Sequence, residues 1–369
     1  MELPTIRVSE KHGMRRFLYP LKAEVPLSTE DDIANLMLVT PDGVSVPVHI
    51  TRPSDPLSLH SIDFAISMGP NETVDLRLVP GVPAQVPDPL QITLDDVGGL
   101  ASKQERVTCE IDRHSTLKSF VYDGVPHLTG PVRITRNGEA FRPGKWDGTA
   151  SVTASPLAAC VLSTGWYADR TTAAIGAEIT ACKSWVTLSH HNEATGAPDR
   201  VAFELPYAAT GPNLLCDFGA GGGVYTKLAR QPGAEVVWTI GHDQTWTLRN
   251  GNRVDYSGTL FQFIEPDFPE FHGIETAWFH VVDENKALAV AILVARPDSA
   301  ISVVIRESGD ITIEFTASPG AEGHLLYGVC FHFLNDVPAI AAATCPQSIM
   351  FEPQVDVIDP NFTPDIANR

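Results

Sequence analysis

Helical periodicity is nearly missing from this chain of 369 residues; only residues 28–37 could start a short helix, and the same stretch reads equally well as a loop feeding a strand. Basic charge is scarce too. Lys and Arg number 26 against 45 Asp and Glu, for a formal net charge of -19 at pH 7. Binding a phosphate backbone needs a cationic face, so nucleic acid is excluded as a partner. The same balance disfavours docking on an anionic membrane. Long apolar runs are lacking: the longest, residues 287–295, stops at Arg296 and Pro297. That is short of the roughly 18 residues that span a bilayer. Residues 1–20 hold no apolar segment behind a basic start, so the expected location is cytoplasmic, although a secreted protein relieved of its leader reads the same. The six cysteines form no CxxC pair and no tight Cys/His cluster, and are expected as buried thiols. Nucleophilic catalysis has no GxSxG elbow to rest on.

What the chain does have is period two. Residues 43–50, 72–79, 150–154, 185–188, 236–240 and 311–315 alternate apolar with polar side chains. Short alternating runs bounded by turn residues are the mark of half-buried antiparallel strands. The 28 Gly and 29 Pro supply the punctuation, with turn dipeptides at Asp42-Gly43, Asp123-Gly124, Asn137-Gly138, Asp147-Gly148 and Asn250-Gly251. With 43% hydrophobic residues the chain can bury a sizeable core. The expected fold is therefore all-β. Four prolines between residues 79 and 89 break any strand and mark a stiff connector. They divide a small N-terminal β module, residues 1–85, from a large antiparallel β-sandwich, residues 86–369. No fixed repeat is visible, which sets aside propellers and solenoids.

Residues 12–27, 37–48 and 62–66, with Asp42, Gly43, Val46 and Pro47 in a dG-x-x-vP strand, resemble the N-terminal β module of exo-acting rhamnogalacturonan lyases and their relatives. Residues 109–124 are similar to the first strand-turn-strand unit of a galactose-mutarotase-like supersandwich. The resemblance implies a supersandwich-like second domain with a sugar-binding cleft. It carries no catalytic residue over to a position of this chain.

The side chains themselves offer several constellations. On a strand, Trp185, Thr187, Ser189 and His191 share one face while Val186 and Leu188 share the other. An indole beside hydroxyls and an imidazole suits a sugar, whose C–H face stacks and whose hydroxyls hydrogen-bond; the bland alternative is an indole covering a loop, with His190 and His191 opening a turn. Trp278 and His280 share a face in the same way, against Phe279 and Val281, and His272 lies just upstream; a histidine satisfied inside the sandwich is the competing reading. His332 alternates with Phe331 and Phe333. The glycine-rich stretch 217–225 lacks the helix a phosphate loop must open and reads as a turn passing close to something, with Tyr225 projecting beyond it. Trp146 lies in an aromatic-polar loop, a composition that suits a further sugar contact and equally an ordinary hairpin tip. No tight metal spacing is present, so no metal ligand is assigned; a divalent cation assembled from distant strands is left open, and no cofactor is required.

The leading expectation is a carbohydrate-active lyase cleaving a uronate-containing glycan by β-elimination. Arg200 would clamp the carboxylate, His191 or His280 would act as base, and Tyr207 or Tyr225 as acid. Trp185, Trp278, Trp146, His190 and His272 would bind substrate. The alternatives are a mutarotase-like epimerase or glycoside hydrolase using one His as acid and one carboxylate as base, for which Glu275 or Asp283 could serve, and a non-catalytic sugar-binding protein. All of them take a carbohydrate partner.

Overall fold

In the computed structural model, residues 3–27, 33–53, 59–96, 99–143, 151–194, 199–219, 224–259, 277–284, 286–294, 299–335 and 352–358 are described. Their secondary structure is β strand apart from one three-residue 3-10 turn, Ile33–Asn35, which feeds the strand Leu36–Val39. The fold class is all-β with antiparallel sheets. Turn chemistry acts as the dipeptides predict: Asp123 and Gly124 have φ of 50° and 74°, Asn137 and Gly138 of 51° and 80°. Two consecutive left-handed residues give the tight hairpin turn whose twist matches its strands.

Two large sheets face each other. One has eight strands and includes Arg200–Pro206, Glu235–Ile240, Ala300–Arg306 and Asp310–Thr316. The other has ten and runs from the Ala158–Trp166 side through Thr172–Thr180, Trp185–Glu193, His324–Asn335, Lys286–Val294, Trp278–Asp283 and Asn213–Gly219 to Val224–Ala229. Alternate side chains from both fill one interior: Val186, Leu188, Phe279, Phe331 and Phe333 from the ten-stranded sheet meet Phe203, Trp238 and Phe315 from the other. A third sheet, spanning the strands between Gln91 and Pro126, adds Leu100, Cys109, Leu117 and Phe120 to that interior.

The first 80 residues form two smaller sheets with their own core around Ile6, Val8, Ile62, Phe64 and Leu76. The strand Gln354–Ile358 returns from the far end of the chain to pair with Thr5–Ser9. These N-terminal sheets pack on part of the outward face of the ten-stranded sheet, and their core takes in Trp185, Ala291 and Cys330. Inside them, Arg16 and Glu10 form an ion pair with both side chains fully buried. The five described cysteines are free thiols. No described helix is long and apolar enough to cross a membrane.

Candidate functional site

Strand parity decides what the outward face of the ten-stranded sheet displays. On Trp278–Asp283, Phe279 and Val281 turn into the core, so Trp278 and His280 turn out. On Lys286–Val294, Leu288, Val290 and Ile292 face inward, leaving Ala287, Ala289 and Ala291 outward. On His324–Asn335, His332 lies between inward Phe331 and Phe333. The cross-strand register joins these positions into one row: Tyr225 opposite Asp217, Asp217 opposite His280, His280 opposite Ala289, Ala289 opposite His332, and His332 opposite Trp185. Small Ala289 separates two imidazoles that stand two strand spacings, about 10 Å, apart.

The polar centre of this row is Asp217 with His280. His280 Nε2 lies 3.8 Å from Asp217 Oδ2, and their side chains are 3% and 19% exposed. That separation is beyond hydrogen-bond length. Asp217 Oδ1 and His280 Nδ1 are buried and have no hydrogen-bond partner. A buried polar atom left unpaired costs free energy, so a ligand hydroxyl that met either one would be favourable. Burial pushes the His280 imidazole down to about 4 and raises the Asp217 carboxyl above its usual range. At neutral pH His280 is therefore an uncharged ring beside a carboxylate of increased basicity. The Trp278 indole stacks in parallel on the His280 ring, with centroids 5.9 Å apart and planes 3° apart. Gly219, the register partner of Trp278, makes room for it: a Cβ there would collide with the indole.

The other expected residues are scattered. Trp185 faces outward but lies beneath the N-terminal sheets; its N–H donates to Thr180 Oγ1 (2.6 Å), Tyr19 meets it edge-on and Lys183 sits 5.0 Å over its ring. It borders a cavity of about 720 Å³ beside the Lys22–Glu178 ion pair rather than an open sugar platform. His191 shares the outward face, but six residues further along its strand, where its ring lies 5.0 Å from that of His324. His190 has the opposite parity and is fully buried, hydrogen-bonded to the Tyr167 hydroxyl at 2.8 Å, so a substrate contact for it is corrected to a core role. Tyr207 is buried in the sandwich interior, with Lys286 Nζ 5.4 Å from its ring centre. Arg200 belongs to the eight-stranded sheet, where its backbone N–H donates to Asn137 Oδ1. A uronate clamp by Arg200 with His191 as base and Tyr207 as acid is thus not assembled. Of the alternative carboxylates, Asp283 is fully buried and accepts from the Thr210 and Gly211 backbone N–H groups. Trp146, His272 and Glu275 lie outside the described residues. Among the described residues no three His, Cys, Asp or Glu side chains are arranged to hold a metal ion.

Asp217 was not singled out from the sequence. The signal was its place before the glycine run: if 217–225 is a hairpin, Asp217 shares Tyr225's face.

No family model matches the chain, and no curated protein matches it. Solved structures do. An alpha-mannosidase from Enterococcus faecalis V583 superposes with a TM-score of 0.59 at 10% identity, over 96% of this chain and 46% of its own. A protein in glycosyl hydrolase family 38, also from Enterococcus faecalis, gives 0.58 at 9%, over 97% and 47%. A galactose mutarotase-like protein from Lactobacillus casei ATCC 334 gives 0.36 at 11%, over 64% and 100%. The chain spans about half the length of the two Enterococcus proteins, and at these identities the likeness to them shows the all-β fold alone.

Proposed function

We propose that the chain is a carbohydrate-active protein that moves protons on a sugar ring through Asp217 and His280, as a mutarotase-like epimerase or glycoside hydrolase rather than a β-eliminating lyase. The observation that carries this reading is the Asp217–His280 couple, with unpaired polar atoms and pKa values displaced toward each other, beside the indole of Trp278. Perturbed titratable pairs of this kind concentrate at sites of proton transfer. The sandwich shared with proteins described as mannosidase and glycosyl hydrolase supports a sugar as the substrate.

Spacing favours the epimerase. Carboxyl groups that flank a scissile glycosidic bond stand about 5–9.5 Å apart. Asp217 and His280 approach to 3.8 Å, which suits two neighbouring oxygens of one ring, the anomeric hydroxyl and the ring oxygen. Asp217 accepts the anomeric proton as the bond from C1 to the ring oxygen opens. Asp217 passes that proton to the ring oxygen, whose developing negative charge the N–H of neutral His280 stabilises by a hydrogen bond, and re-closure on either face reverses the transfer. The net change is inversion of the anomeric centre with no co-reactant.

The competing reading is a non-catalytic sugar-binding protein. Anomer exchange separates the two readings. Wild-type protein is expected to accelerate exchange of a free hexose, and Asp217→Asn and His280→Gln to remove that acceleration by about 100-fold or more, the usual contribution of a positioned acid or base. Unchanged exchange in both variants, with native folding, would overturn the proposal.

A further inference from the structure

All seven tyrosines of the chain lie within the described residues, and only Tyr225 and Tyr256 are exposed, at 66% and 42%. Both line one shallow groove of about 530 Å³. Its walls are the last strand of each large sheet, Val224–Ala229 of the ten-stranded and Arg253–Thr259 of the eight-stranded. Hydrogen bonds hold the walls together: Thr226 Oγ1 donates to Asp255 Oδ2 (2.8 Å), and Asn250 Nδ2 donates to Thr226 Oγ1 (2.8 Å) and to the Lys227 carbonyl (2.9 Å). Arg253 Nε donates to Asp255 Oδ1 (2.6 Å), so these two charges offset each other.

We infer that this groove is a subsite for the remaining residues of an oligosaccharide whose reducing end lies at Asp217 and His280. The inference rests on the sugar-processing reading and extends it from a single ring to a chain. Three features point to a neutral, polyhydroxylated and elongated ligand. Two exposed phenol rings in one groove offer flat faces to sugar C–H groups. Arg253 and Asp255 offset each other's charge, so of the lining only Lys227 adds a net charge, and these groups supply donors and acceptors. The groove lies next to the proton-transfer couple along the sheet, because Tyr225 is the register partner of Asp217, which is the register partner of His280. Sugar bound against Tyr225 is therefore one strand spacing, about 5 Å, from the carboxylate.

Edge strands can also take a strand from another chain, but this edge is protected against it. Arg253 lies on it, Lys227 faces it, and the register is broken by a bulge between Leu248 and Arg249. Edge charges and bulges are devices that discourage strand addition.

Calorimetric titration of the full chain with linear manno-, galacto- and gluco-tetraoses, and with the corresponding hexoses, tests the subsite. One tetraose series is expected to bind about tenfold tighter than its hexose, equivalent to ~1.4 kcal/mol. Tyr225→Ala and Tyr256→Ala should each abolish that advantage, and Tyr225→Phe and Tyr256→Phe, which keep the ring, should restore it. Tyr256→Ala should still exchange the anomers of the free hexose. Asp217→Asn is expected to keep the tetraose advantage while losing exchange. If tetraoses bind no tighter than hexoses, or the Ala variants bind them as wild type does, the subsite is overturned whatever Asp217 does. If instead Asp217→Asn keeps full exchange while the Ala variants lose tetraose binding, the proton-transfer reading fails and the groove stands. A wild-type dimer by sedimentation that Tyr256→Ala dissociates would assign the groove to a second copy and overturn the inference.

Discussion

His280 and Asp217 stand opposite each other on adjacent antiparallel strands, with Nε2 and Oδ2 3.8 Å apart and with Asp217 Oδ1 and His280 Nδ1 buried without a hydrogen-bond partner. The strands that present them are anchored by core side chains on their other faces, Phe279 and Val281 from one and Cys216 and Phe218 from the other. A site built on strand interiors in this way has its geometry fixed by packing.

The stack of Trp278 on His280 depends on the absence of a side chain at position 219. Gly219→Ala should push the indole off its position and tilt the imidazole it supports. Overpacking of this kind costs about 1–3 kcal/mol. Urea denaturation measures that loss, and indole fluorescence should change with it. A variant as stable as wild type with an unaltered emission spectrum would show that the close approach is not enforced.

Acid should destabilise the fold through its histidines. Burial pushes His127 down to about 4, His190 to about 3 and His280 to about 4, against about 6.5 in an unfolded chain. The unfolded state binds these protons more readily, so the stabilisation is complete above pH 6.5. It drains away as pH falls toward 4, by up to about 1.4 kcal/mol per pH unit for each ring. Asp217, whose pKa is raised by burial, works in the opposite direction as pH falls. Denaturation midpoints from pH 7 to pH 4.5 should fall, and His190→Leu should reduce the slope. A slope that His190→Leu leaves unchanged would contradict the assignment.

A buried ion pair staples one part of the sandwich. Arg136 Nε lies 2.8 Å from Asp199 Oδ1, with both side chains 2% exposed or less, and Asn192 donates to Asp199 Oδ2 at 2.9 Å. Arg136→Met leaves the Asp199 carboxylate without its ion-pair partner and should cost about 3–5 kcal/mol. Adding Asp199→Leu should recover a large part of that loss, because two apolar groups replace an isolated charge. Failure of the second substitution to recover any stability would mean that packing, not charge, holds the site.

Much of this was legible from period two. The sequence 278–281 places Trp278 and His280 on one face and Phe279 and Val281 on the other, as the structure has them. His190 was legible by the same rule, since it shares parity with Val186 and Leu188, yet its residue type drew it into the substrate list. What parity cannot supply is pairing between distant strands. Nothing local to the glycine-rich stretch says that Asp217 lies beside His280. Nor does the run 185–191 reveal that the N-terminal sheets lie over Trp185, or that residues 354–358 return to the sheet of Thr5–Ser9. These contacts are set by how whole sheets stack, and Arg200 and Tyr207 fell away from the site for the same reason.

The claim on which the rest depends is that a sugar reaches the Asp217–His280 couple. Nitrogen-15 NMR of the histidine rings during titration with D-mannose, D-galactose and D-glucose tests it most directly. At least one hexose should shift the His280 Nδ1 or Nε2 resonance saturably, and Asp217→Asn should weaken that response. His280 resonances unmoved by all three sugars, while the protein remains folded, would contradict it.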